Sequence, residues 1–166
     1  MIRLFLCTAL SLAFVASASA QPKHALHPGH SGHAGHAGHG EEKAYGEPGN
    51  PKAVTRTIHV GMNDKMRFTP ANIAVKRGET IRFVAKNTGK VEHEMVLGTD
   101  KDLKAHAEAM RKNPKMEHGP EANAVDVDPG KQGELVWRFT KPGTFKFGCL
   151  VPGHFEAGMI GTIVVR

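Results

Sequence analysis

The 166-residue chain has little of what would mark a membrane-spanning, nucleic-acid-binding or disulfide-stapled protein. It has two cysteines, one tryptophan and one tyrosine, and aromatic residues make up 6% of it. Its one marked apolar run, Leu4 to Ala16, falls short of the ~20 residues that a spanning helix needs, and no second run follows. Lys and Arg outnumber Asp and Glu by 22 to 16, yet they form no basic run or basic helix, which argues against nucleic acid and leaves a mildly basic, solvated surface. Nineteen glycines and ten prolines with so few aromatics favour short strands and turns over a helical bundle.

The N-terminus is a processing signal. Met1-Ile2-Arg3 is a short positive start, Leu4 to Ala16 is the apolar stretch, and Ala18-Ser19-Ala20 is a small-x-small cleavage site before Gln21. Residues 1–20 therefore read as a secretory signal peptide cleaved after Ala20, giving an exported protein without membrane insertion. Cys7 leaves with it. The remaining thiol, Cys149, is then unpaired in a compartment where cysteines usually pair. It can be an apolar filler, an intermolecular bridge, a nucleophile or a metal thiolate.

Residues 21–52 form a low-complexity tail. His24, His27, His30, His33, His36 and His39 recur every three residues among Gly, Ala, Ser and Pro, with no apolar period to bury a face. A disordered segment of this kind can close two or more imidazoles around a borderline ion such as copper or zinc, and otherwise serves as a soluble spacer.

From Ala53 the pattern changes. Val54 to Val60 alternates, Ile73-Ala74-Val75 and Thr80 to Val84 flank a Lys76-Arg77-Gly78-Glu79 turn, and further segments run from Glu92 to Leu97, Ala122 to Val127, Gly133 to Thr140, Gly143 to Gly148 and Ile160 to Val165. Eight short strands of this spacing predict a β-sandwich or small barrel over 53–166. One helix interrupts them: Thr99 or Asp100 caps it, Leu103, Ala107 and Met110 share a face, and Asn113-Pro114 ends it.

The segment from Cys149 through His154 to Met159 places thiol, imidazole and thioether in one loop between two strands. Pro152, Gly153 and Gly158 supply the bends that turn the later two residues back toward the first. A second imidazole can come from His93, next to the Asn87-Thr88-Gly89 turn. Two imidazoles and a thiolate with a weak axial thioether constitute a mononuclear copper electron-transfer site, whereas structural zinc takes four Cys or His ligands and methionine serves it poorly. A catalytic Cys–His pair lacks an orienting third residue, and plain packing of all three remains the bland alternative. Met62, Met66, Met95 and Met110, with Met116 and His118, could form another Cu(I) site, though gap-filling is the ordinary use of methionine.

Residues 53–166 resemble the cupredoxins. The Ala71-Asn72-Ile73 strand entering Lys76-Arg77-Gly78-Glu79-Thr80, the early His93, and the Cys-x4-His-x4-Met loop before a terminal strand carry the resemblance. It implies an all-β Greek-key sandwich with one inserted short helix and one type I copper held by His93, Cys149, His154 and Met159. With the His-rich leader, the chain is most similar to periplasmic cupredoxins implicated in copper tolerance. Two departures stand out against the electron carriers of the family. Four residues, not two, separate Cys149 from His154, and Glu94 replaces the usual Asn after the first His, which is expected to remove a hydrogen bond behind the ligands and to give a distorted, greener site.

The expected activity is therefore copper handling by a monomeric, non-enzymatic protein, with copper ions as its partners. The alternative is a diffusible electron carrier that meets a redox partner protein through His154. A multicopper oxidase cluster would need His-x-His pairs, which the chain lacks.

Overall fold

The computed structural model describes residues 42–113 and 121–166. The expected signal peptide, His24, His27, His30, His33, His36 and His39 of the tail, and Met116 and His118 lie outside the described residues.

Each of the eight predicted strand segments is a strand, and two short ones join them. In chain order they are β1 (Glu47–Pro48), β2 (Arg56–Asn63), β3 (Arg67–Thr69), β4 (Asn72–Val75), β5 (Thr80–Asn87), β6 (His93–Gly98), the helix α1 (Asp100–Lys112), β7 (Ala124–Val127), β8 (Gln132–Arg138), β9 (Gly143–Gly148) and β10 (Ile160–Val165). They form two five-stranded sheets, in the orders β1-β8-β5-β2-β3 and β4-β10-β9-β6-β7. Pairing is antiparallel except between β2 and β5 and between β4 and β10. β1 and β3 escape a reading of the sequence because two or three residues show no period.

Alternation along the strands turns one face of each sheet inward. Val60 and Met62, Ile81, Phe83 and Ala85, and Leu135 and Trp137 from the first sheet meet Met95 and Leu97, Phe147, and Ile163 and Val165 from the second in one buried cluster. Each large side chain so buried contributes on the order of 1.5–3 kcal/mol.

The boundary at residue 53 needs correction, because the ordered domain takes in residues that composition assigns to the tail. Tyr45 is buried, stacks on Trp137 with ring centroids 5.4 Å apart, and accepts the indole N–H at its carbonyl at 2.9 Å. Gly46 (φ 120°) lies where a Cβ would run into the Arg138 carbonyl, and β1 then pairs with the end of β8. The segment is low in complexity, but its tyrosine fills a slot at the edge of the core, and that packing outweighs composition.

α1 starts in a capping box, with the Asp102 N–H donating to Thr99 Oγ1 at 3.1 Å and the Asp102 side chain accepting from the Thr99 N–H. Asp100 and Asp102 suit its first turn and Arg111 and Lys112 its last. Leu103 and Ala107 bury against Val96 and Leu150, with Phe155 packed beside them, so the helix braces the loop that follows β9. No helix among the described residues is long and apolar enough to cross a membrane.

A chain starting at Ala53 is expected to be less stable than one starting at Glu42 by about 3–5 kcal/mol, the range for losing a large buried aromatic side chain. Urea unfolding of the two chains checks this, and equal midpoints would show that the Tyr45–Trp137 stack is idle.

Candidate metal centre

Three strand ends meet at one end of the sandwich. β6 begins with His93, β9 ends just before Cys149, and β10 begins just after Met159. Ile160 pairs with Gly148 across β9 and β10, and the Cys149 N–H donates to the Met159 carbonyl at 3.1 Å, so the loop between them is pinched at its base. His154 sits at the tip, its N–H bonded to the Val151 carbonyl and its own carbonyl accepting the Met159 N–H. Gly153 and Gly158, at φ 87° and 88°, make the left-handed turns that this path requires. Arg67 Nη1 ties the far side of the loop to β3 by donating to the Ala157 carbonyl at 2.8 Å.

Cys149 Sγ lies 3.3 Å from His154 Nδ1 and 3.9 Å from His93 Nδ1, and the three donor atoms all fall within 4.8 Å of one another. The two imidazole rings stand 4.9 Å apart, tilted by 50°. Cys149 and His93 are fully buried, and His154 is partly exposed. Cys149 has no disulfide partner among the described residues. Burial pushes its thiol up to about 12, against the opposing pull of the Glu94 N–H, which donates to Sγ at 3.4 Å. Burial and the neighbouring His93 hold His154 below the ordinary histidine range, so its ring is neutral and available as a donor at neutral pH.

This donor set fits copper. Two nitrogens and a sulfur converge on one small volume, both histidines offer the same ring nitrogen, and the thiol has no covalent partner there. Met159 is fully buried and bonded through its backbone to both Cys149 and His154, so the four residues read from the sequence come from one end of the fold.

Glu94 corrects an expectation. The hydrogen bond behind the ligands is not lost with asparagine, because the Glu94 carboxylate takes the Leu150 N–H at 2.5 Å while its own N–H serves the sulfur. The longer side chain spans from β6 to the residue after Cys149 and straps the two ligand strands together. Burial raises this carboxyl to about 7, with Asp126 opposite it adding to the rise and the Leu150 N–H opposing it. Asn87, read only as a turn residue, is buried; its Nδ2 donates to the Val91 and Val127 carbonyls, and its Oδ1 accepts from the Gly89 N–H, fixing the turn that leads to His93. The spacing of Asn87-Thr88-Gly89 gives the turn but not the burial. Met62 and Met95 fill the core and Met66 packs against it, in keeping with gap-filling.

The sequence profile of the copper binding proteins, plastocyanin/azurin family, matches residues 54–166. A copper-resistant cuproprotein named CopI from Rubrivivax gelatinosus is 52% identical over 97% of this chain and 94% of its own length. One of the same name from Pseudomonas aeruginosa is 34% identical over 95% and 92%. Among solved structures, dithionite-reduced auracyanin from Roseiflexus castenholzii matches with a TM-score of 0.58 at 24% identity, covering 68% of this chain and 98% of that one, a likeness of fold.

Three outcomes are expected at the centre. Cys149→Ala should abolish the thiolate-to-copper absorption, whereas Met159→Leu should retain copper with a shifted colour, because an axial thioether bond is long and weak. Because burial keeps the metal-free thiol protonated well above neutral pH, copper uptake must displace its proton, so affinity should rise about tenfold per pH unit above the histidine range. Competition with a chelator across pH measures this, and a flat profile would remove Cys149 from the ligands.

Proposed function

Given that the chain belongs to the plastocyanin/azurin family of copper-binding proteins, we propose that it is a periplasmic protein that binds and sequesters or redox-buffers copper, contributing to copper tolerance. The observation that carries the reading is the buried, unpaired Cys149 with two imidazole nitrogens turned toward it. The names of its relatives from Rubrivivax gelatinosus and Pseudomonas aeruginosa support the tolerance role. Bound copper would supply one-electron chemistry, Cu(I) to Cu(II).

The chain's own part is to hold the donors. Cys149, just past the end of β9, and His93, the first residue of β6, are shielded from water, His154 would close the site from the loop, and Met159 would add a thioether donor. His24, His27, His30, His33, His36 and His39 add capacity for further copper or zinc under metal excess, which an electron carrier does not need. The leader 1–20 delivers the protein to the periplasm. The reading assigns no catalysed reaction.

A diffusible electron carrier is the second reading, favoured by the partial exposure of His154 beside the exposed Pro152 and Gly153, where a redox partner could approach. Growth separates the two. Deleting the gene is expected to make cells sensitive to added copper while leaving unstressed growth normal, and a Cys149→Ala copy should fail to restore tolerance. A respiratory defect with unchanged copper tolerance would favour the carrier; full rescue by Cys149→Ala would place the function in the histidine-rich segment.

A further inference from the structure

His93 turns its two ring nitrogens to different neighbours. Nδ1 faces Cys149 Sγ. Nε2 is buried with no hydrogen bond among the described residues, and Asp64 Oδ1 stands 3.5 Å from it. A ring nitrogen shut away from water calls for an acceptor, and this carboxylate closes the space beside it.

Asp64 is set in place by backbone. It lies in the turn between β2 and β3, and its two oxygens accept the Lys90 N–H at 3.0 and 2.9 Å, with the Val91 N–H at 3.4 Å from Oδ1. These bonds, the Lys90 N–H first, hold its carboxyl below the usual carboxylate range. Thr88 binds the same two turns together, its N–H and Oγ1 both donating to the Met62 carbonyl. Gly89 leaves the room, since a Cβ there would run into the Asp64 carboxylate. The seat is thus built from two turns, and it stands beside the buried Nε2 edge of His93.

We propose that Asp64 is a positioning residue for the copper centre: its carboxylate accepts the Nε2 proton of His93, keeps Nδ1 turned toward Cys149, and by its charge favours Cu(II) over Cu(I). A carboxylate behind a ligating imidazole fixes the tautomer and makes the ring a stronger donor, which benefits the more highly charged ion. Its side chain is 42% exposed, so solvent weakens the effect without removing it. The inference rests on copper being held at His93.

Asp64→Asn in the full chain removes the charge but keeps an oxygen for Lys90 and Val91. Cu(II) affinity should fall about tenfold with Cu(I) affinity unchanged, which raises the reduction potential by about 59 mV. Equal losses for both ions would reduce Asp64 to a loop residue, and no change in either would overturn the proposal. Should the variant not fold, nitrogen NMR of the metal-free native protein decides: His93 carrying its proton on Nε2 is expected, and a proton on Nδ1 overturns it. Absence of a thiolate–copper band from the native protein would instead defeat the copper reading, a failure separate from either result.

Discussion

Taking a thiolate out of water is the costly act on which this fold depends. Desolvation first, with the Glu94 and Glu92 carboxylates adding to it and the Glu94 and Val151 N–H groups opposing it, pushes the Cys149 thiol up to about 12, so the anion that a soft metal needs exists there only when a cation repays the loss of hydration. The architecture supplies the conditions for that exchange. Two sheets exclude water, three strand ends bring the donors to one place, and the Glu94 and Arg67 bonds keep the loop from relaxing away. A flexible peptide carrying the same cysteine, histidines and methionine would have to order them at the moment of binding, at a cost of about 1–2 kcal/mol per residue in backbone entropy alone.

Much of this was legible in the residues. Alternation marked the strands because one face of each sheet must be apolar, and Thr99, Leu103, Ala107 and Asn113 marked the helix because caps and a buried stripe are local features. Cys149, His154 and Met159 announced themselves through a loop short enough for spacing to imply proximity. His93 was reachable as the imidazole beside a turn. What failed to show were relations between distant segments. Nothing near Tyr45 in the chain names Trp137, 92 residues away, and nothing near Asp64 names His93. Glu94 misled for a related reason: a change of side-chain type was visible, but the reach that lets a longer carboxylate do a similar task depends on where Leu150 lies.

Tyr45 also shows the limit of composition. A stretch poor in apolar residues reads as a tail by its average, yet one aromatic ring with a vacant slot beside it is enough to recruit its neighbours into the sheet. Averages describe solvation, whereas packing depends on single side chains.

The two histidines differ in how freely they can let go. His93 belongs to β6, a strand paired on both sides, while His154 rides on a partly exposed turn whose backbone bonds are short-range and which Arg67 ties to the sandwich from its far side. Such a cage has one rigid wall and one hinged wall. Release of a bound ion would then call for the opening of a few loop residues rather than for unfolding of the sandwich.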